Sequence, residues 1–160
     1  MNWYKISQIQ NIMYHNTPAA LVNQILKEGL KINSPYVKSQ ASQWFIPDIY
    51  KMNPIFLSSR PDIFKEKGDI TLTINISGLP IVTDIPSLTG FGAYYSDLGD
   101  GIYFETGKTP KQLKDFEDEE GMLDYSELLD PHSELTRTCI KLTKTAACME
   151  NIEPNRIKLL

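Results

Sequence analysis

Residues 13–30 read MYHNTPAALVNQILKEGL, and this stretch carries most of the information about the fold. Residues 12–14 are apolar enough to form the end of a buried strand. Thr17 is a suitable helix N-cap, and Pro18 suits the first helical position, where its missing N–H costs nothing. We therefore predict a short strand, a polar turn and a helix in close succession, with His15 at their junction.

The predicted helix has one apolar face and a defined end. Its apolar side chains recur at helical spacing, at Leu21, Val22, Ile25 and Leu26. We expect Gly29 to end the helix in the left-handed conformation and Leu30 to fold back onto the last turn. His15 then lies at the lip between strand and helix, which is a suitable place for a binding residue.

Composition limits the possible classes of function. The length of 160 residues predicts one domain over residues 1–160. The net charge of −4 disfavours sequence-independent nucleic-acid binding. Cys139 and Cys148 have no metal-ligand spacing, so we expect free buried thiols and no metal site. Without a membrane-spanning run or a signal-peptide pattern, we expect no membrane association and a cytoplasmic location.

The rest of the chain reads as short strands with few helices. Strict alternation of apolar and polar residues predicts a half-exposed strand at 70–77. Further strands are predicted at 55–59, 81–82, 101–105, 136–142 and 144–149, with an edge strand at 152–157. Residues 86–101 are predicted to be a loop, and residues 109–119 a short helix. The pattern indicates an α+β fold of antiparallel sheets with helices at one side.

Four phrases resemble the ADP-ribosyltransferase superfamily. The sequence Tyr14-His15-x-Thr17, a helix and then Gly29-Leu30 resembles the family's opening, which reads aromatic-His-Gly-Thr or Ser before the helix. Residues 55–59, IFLSS, resemble its second motif. Residues 71–77, followed by Gly-Leu-Pro and Asp84, resemble the family's next core strand. Residues 152–157, IEPNRI, resemble the ending of compact bacterial and phage members. RNA 2'-phosphotransferases share the first phrase, so that phrase alone does not choose between the two families.

The resemblance implies a fold, a reaction and a set of site residues. The fold is a split pair of antiparallel sheets with few helices. The reaction is mono-ADP-ribosyl transfer from NAD to a macromolecular acceptor, with protein favoured over nucleic acid. The bond from ribose to nicotinamide breaks through a cationic transition state, which negative charge stabilises. The implied NAD-binding residues are His15, Asn16, Thr17, Phe56, Ser58 and Ser59.

Each of these residues has an implied role. His15 would hydrogen-bond a ribose hydroxyl, and the backbone of Asn16 would hold the nicotinamide carboxamide. Thr17 would add a polar contact. Phe56 would lie beside the nicotinamide, with Ser58 and Ser59 steadying the wall of the site. Asn16 departs from the family's glycine, although Asn tolerates left-handed backbone better than most residues.

The catalytic carboxylate is the weakest part of the match. Many family members carry a Glu on the strand before the terminal phrase, but residues 144–148 contain no acid. Glu150 is the nearest acid and is predicted to be catalytic together with His15. Glu105 is an alternative, and Glu134 is a weaker one.

A second phrase could serve as the second motif. Residues 101–105, GIYFE, resemble a phrase of the poly-ADP-ribose polymerases. Tyr103 would then stack on the nicotinamide. This alternative to residues 55–59 requires a long insertion after His15.

Two other functions remain open. The chain could be an inactive ADP-ribosyltransferase-like binding module, whose contact surfaces would be the acidic run at 115–120 and the aromatic loop at 44–50. It could also resemble an RNA 2'-phosphotransferase, although the chain has only three arginines to hold phosphate: Arg60, Arg137 and Arg156. The sequence does not determine the oligomeric state.

Overall fold

The computed structural model of the chain describes residues 2–3, 11–32, 53–90, 94–97, 102–105, 107, 111 and 125–160. Its strands are β1 (Asn2–Trp3), β2 (Ile12–Pro18), β3 (Ile55–Ser58), β4 (Asp69–Asn75), β5 (Ile81–Thr83), β6 (Tyr94–Asp97), β7 (Ile102–Glu105), β8 (Thr145–Cys148) and β9 (Ile157–Leu159). Its α-helices are α1 (Val22–Glu28), α2 (Ile85–Gly90), α3 (Tyr125–Leu128) and α4 (Glu134–Thr143). Short 3₁₀ turns lie at Ala19–Leu21 and Pro154–Arg156. This part of the chain is α+β, as predicted.

The main sheet has six antiparallel strands in the order β5-β8-β3-β2-β4-β9. A smaller sheet has the order β1-β7-β6. In the main sheet β2 pairs with β4 over seven residue pairs, from Ile12 to Pro18. The ladder between β2 and β3 contains a single pair, Tyr14 with Ser58. The main sheet therefore divides into two three-stranded halves that are joined at this one pair.

Two apolar clusters pack on opposite faces of the main sheet. Successive strand residues point to opposite faces, and the neighbours Ala146 and Ala147 belong to different clusters. Ile25 and Leu26 of α1 pack against the cluster that contains Ala146. Residues of α2, α3 and α4 form the cluster that contains Ala147. The sheet therefore has helices on both faces, and the prediction that they lie at one side is wrong.

The predicted start of the first helix is also wrong. Strand β2 continues through Thr17 to Pro18, and the α-helix begins only at Val22 after a 3₁₀ turn. Thr17 is not an N-cap; it pairs with Ile70 of β4. Pro18 is extended, with φ −54° and ψ 138°. A residue before proline avoids the helical region, which favours an extended Thr17 and continued strand pairing.

The predicted end of this helix is confirmed at Gly29. The Gly29 N–H donates to the carbonyl oxygen of Ile25 at 2.8 Å, and φ is +86°. Its ψ of −177° is extended rather than left-handed helical. This conformation directs Leu30 into an isolated bridge with Ile152, and Leu30 is buried in the core.

Two segments differ from the sequence prediction. Residues 136–142 belong to helix α4, not to a strand, because Ser133 caps the helix and Thr138 bonds back to the carbonyl of Glu134. The loop predicted at 86–101 includes most of α2 and all of β6. Asp84 initiates α2 by accepting from the N–H of Ser87, and β6 pairs with β7.

The other predictions are confirmed at the level of element type. Strands lie at 55–58, 69–75, 81–83, 102–105 and 145–148. Of the predicted edge strand at 152–157, Ile152 forms only the bridge to Leu30 and the edge strand begins at Ile157. Cys139 and Cys148 are buried free thiols. The predicted helix at 109–119 lies outside the described residues, apart from position 111.

Candidate functional site

A cleft of about 720 Å³ opens where β2 and β3 part. Beyond their one shared pair, residues 15–18 of β2 and 55–56 of β3 line this cleft rather than pairing with each other. One wall consists of the end of β2, one face of α1 and residues 29–32. The other wall consists of β3, the loop that follows it and the start of α2.

His15 bridges the two strands at the head of the cleft. Its Nδ1 lies 3.0 Å from the main-chain carbonyl oxygen of Phe56 on β3. Because a carbonyl oxygen only accepts, Nδ1 must carry the proton. Burial lowers the pKa of His15, against smaller opposing effects of the Phe56 bond and of Asp69. The ring is therefore neutral near pH 7, and its Nε2 is a hydrogen-bond acceptor.

Asn16 ties the loop after β3 to β2. Its side-chain amide donates to the carbonyl oxygens of Pro61 and Ile63, at 2.9 Å each. Its Oδ1 accepts from the hydroxyl of Thr71 on β4 at 2.6 Å. Asn16 is extended and paired with Thr71, so no turn forms at this position. Its side chain therefore positions a wall of the cleft.

The other predicted binding residues divide into two groups. Thr17, Phe56 and Ser58 line the cleft together with His15 and Asn16. Ser58 is buried, and its hydroxyl donates to the carbonyl oxygen of Arg60 at 2.7 Å. Ser59 is not among the lining residues, and its hydroxyl donates to the carbonyl oxygen of Lys144 at 3.2 Å.

The structure does not bring the predicted catalytic Glu150 to the cleft. Glu150 is exposed after β8, and its main-chain carbonyl accepts from the thiol of Cys148. Glu134 is exposed at the start of α4 and is also absent from the lining. The structure describes only the backbone of Tyr103 and Glu105. The acidic run at 115–120 and the aromatic loop at 44–50 lie outside the described residues.

Asp84 is a cleft residue that the sequence analysis did not select. It follows β5, and its carboxylate accepts from the N–H of Ser87 at 3.0 Å and from the Ser87 hydroxyl at 2.7 Å. Burial raises the pKa of Asp84, against opposing hydrogen bonds from Ser87 and Thr145. The sequence Asp84-Ile-Pro-Ser87 after a strand is a helix-start pattern, so the signal was present in the chain.

Phe64 was also missed. Its side chain is 51% exposed and lines the mouth of the cleft. Its φ of +61° is rare for a bulky residue and indicates that the surrounding loop holds it there. Asn16 anchors that loop through Pro61 and Ile63. Nothing in the local sequence indicates this conformation, because the anchor comes from a distant strand.

Charge in the cleft is mixed and sparse. Among the described lining residues, the carboxylates are Glu28 and Asp84, and the cation is Lys31. Within the described ranges, no three His, Cys, Asp or Glu side chains gather in a group that could hold a metal ion. None of the described helices is long and apolar enough to cross a membrane.

The chain was compared with protein-family models, with curated proteins and with solved structures, and none of the three comparisons gives a match.

Proposed function

We propose that the chain is an ADP-ribosyltransferase that binds NAD in the cleft beside His15 and transfers ADP-ribose to a macromolecule, with protein as the favoured acceptor. The observation that carries this proposal is the state of His15. Its protonated Nδ1 is committed to Phe56, and none of the described residues hydrogen-bonds Nε2, so a neutral acceptor is left for a ligand. A ribose hydroxyl is a donor of the matching kind.

The division of the main sheet supports the same proposal. The resemblance implies a split pair of antiparallel sheets, and here β2 and β3 share one residue pair before they part. Five of the six residues implied to bind NAD line the cleft that results, from both sides of the division. The residues from β2 and those from β3 are about forty positions apart in the chain, so it is the fold that brings the two groups together.

The shape and chemistry of the cleft suit a nicotinamide riboside group. Clefts of about 300–1,000 Å³ hold ligands of roughly this size. The exposed ring of Phe64 offers a face for a flat aromatic group, and an aromatic face attracts a pyridinium cation. Among the described lining residues, the carboxyl groups of Glu28 and Asp84 lie in the same cleft as the cation Lys31.

The other two functions are less well supported. An inactive binding module is favoured by one observation, that Glu150 and Glu134 lie outside the cleft lining. An RNA 2'-phosphotransferase needs several cations to hold phosphate, whereas the described lining contains Lys31 alone. The Arg60 guanidinium is paired with Asp62 at 2.8 Å, and Arg156 donates to the carbonyls of Asn75 and Ser77.

A transfer assay tests the proposal. The protein is incubated with NAD labelled in the adenine ring and with a cell lysate, and the macromolecular fraction is then separated. We expect label in that fraction, removable by protease if the acceptor is protein and by nuclease if it is nucleic acid. The His15→Ala variant should transfer no label. NAD binding without transfer or nicotinamide release would instead support the binding module.

A further inference from the structure

We propose that Asp84 is the carboxylate that faces the developing ribosyl cation. This inference rests on the proposed function. It assigns the catalytic carboxylate, which the sequence alone did not identify. Asp84 lies on the cleft lining, whereas Glu150, the acid nearest to the terminal motif, does not.

Asp84 lies beside the strand from which the family's acid is expected. The last pair between β5 and β8 joins Thr83 to Ala146, so Asp84 is adjacent to Thr145 at the start of β8. Thr145 pairs in turn with Ser58, which lines the cleft. Strand β8 carries no acid of its own. Asp84 therefore brings a carboxylate from the neighbouring strand to the start of β8.

Helix capping alone does not require an acid at this position. Asp84 caps α2, but Asn and Ser cap helices about as well as Asp. An ionised carboxylate that is only 1% exposed carries a desolvation cost that a neutral cap avoids. Ser87 supplies two hydrogen bonds, and a carboxylate has about four acceptor sites. These bonds fix the carboxylate of a residue that lines the cleft and leave acceptor sites that Ser87 does not fill.

The proposed step balances without any further group. The bond from C1' of the ribose to the nicotinamide nitrogen breaks, and its electron pair leaves with neutral nicotinamide. The ribosyl C1' becomes cationic, and the Asp84 carboxylate stabilises that charge without forming a bond. An acceptor oxygen or nitrogen, or water, then attacks C1' and loses its proton.

The test measures nicotinamide release and NAD affinity in Asp84→Asn and Asp84→Ser, which both retain a capping side chain. We expect release to fall by on the order of a hundredfold, with NAD affinity and melting temperature kept. Asp130→Asn is the matched control, because Asp130 also accepts a main-chain N–H, from His132, but is exposed and outside the cleft lining. It should release nicotinamide at the wild-type rate.

The possible outcomes separate the two proposals. Wild-type release rates in folded Asp84→Asn and Asp84→Ser would overturn the role of Asp84. Loss of release in Glu150→Gln, with Asp84→Asn active, would assign that role to Glu150 instead. Wild-type protein that binds NAD but releases no nicotinamide would also overturn it. Failure of the wild-type protein to bind NAD at all would overturn the proposed function itself.

Discussion

The imidazole Nδ1 of His15 and the main-chain carbonyl oxygen of Phe56 lie 3.0 Å apart, across the division between the two halves of the main sheet. Only one backbone pair, Tyr14 with Ser58, joins the strands at this division. The side chain of His15 thus makes a cross-strand contact just past the last backbone pair. It also fixes the tautomer that leaves Nε2 as an acceptor.

Stability should depend on pH through His15. Burial lowers the pKa of the native imidazole below the usual value of about 6.5. Below about pH 6.5 the unfolded chain binds a proton that the native chain does not, so stability falls with falling pH until the native group titrates as well. The slope from this group is at most about 1.4 kcal/mol per pH unit.

Urea unfolding of wild type and His15→Gln between about pH 7.5 and about pH 5.5 measures this effect. We expect wild type to lose more stability than the variant on acidification. The two proteins differ only at position 15, so the contributions of all other groups cancel in the difference. Parallel pH profiles would show that His15 is not held neutral by burial.

Substitution of Gly29 should be costly. Gly29 has φ +86°, and a Cβ there would collide with the main-chain carbonyl oxygen of Ile152 and crowd the ring of Pro154. Gly68 has φ +87° but open space where a methyl group would lie, so Gly68→Ala isolates the backbone strain. We expect the free energy of unfolding to fall by about 1 kcal/mol in Gly68→Ala and by about 3 kcal/mol in Gly29→Ala, as measured by chemical denaturation. Equal losses would mean that the Ile152 contact yields easily.

Asn16 should control the loop that carries Phe64. Asn16→Ala removes two donors to the loop and leaves the carbonyl oxygens of Pro61 and Ile63 without them. We expect a loss of about 1–3 kcal/mol in stability, faster hydrogen exchange in the loop and weaker NAD binding. Asn75→Ala is the control, because Asn75 is exposed and its side chain accepts only from the nearby N–H of Ser77 among its described contacts. Unchanged exchange in Asn16→Ala would exclude this role.

Both thiols should be unreactive in the native protein. Burial raises the pKa of Cys139 to about 12, and it also raises the pKa of Cys148. Thiolate, the reactive form, is therefore scarce near neutral pH. A disulfide-exchange reagent should titrate no thiol in native protein and both in urea. Rapid native labelling would show that the helix α4 or strand β8 region opens readily.

The sequence predicts the local patterns and misses what depends on distant partners. Alternation at 70–77 identifies β4, because Leu72 and Ile74 on one face are buried in the core while Thr73 and Asn75 on the other face are half-buried and exposed. The β-branched content of Thr-rich α4 predicts a strand, but its cap and burial favour a helix. The prediction that Thr17 caps a helix fails because its pairing with Ile70 is invisible in the local sequence.

The candidate site follows the same rule as the fold: the sequence predicts the residues in local motifs and misses those that depend on distant contacts. His15, Asn16, Thr17, Phe56 and Ser58 lie in recognisable phrases of the sequence, and they do line one cleft. The roles of Asp84 and Phe64 depend on contacts with Thr145 and with the loop that Asn16 anchors. Those contacts arise only when β2, β3, β5 and β8 assemble, so no pattern in one segment indicates them.

Calorimetric titration with NAD measures whether His15 contributes to an NAD site, with wild type, His15→Ala and His132→Ala compared in one buffer. His132 is the chain's other histidine and is exposed outside the cleft. We predict that wild type and His132→Ala bind NAD with the same affinity and that His15→Ala, with its melting transition kept, binds at least about tenfold more weakly, the effect of about 1.4 kcal/mol. Equal affinity in all three proteins, or no binding by wild type at millimolar NAD, would show that His15 does not form an NAD site.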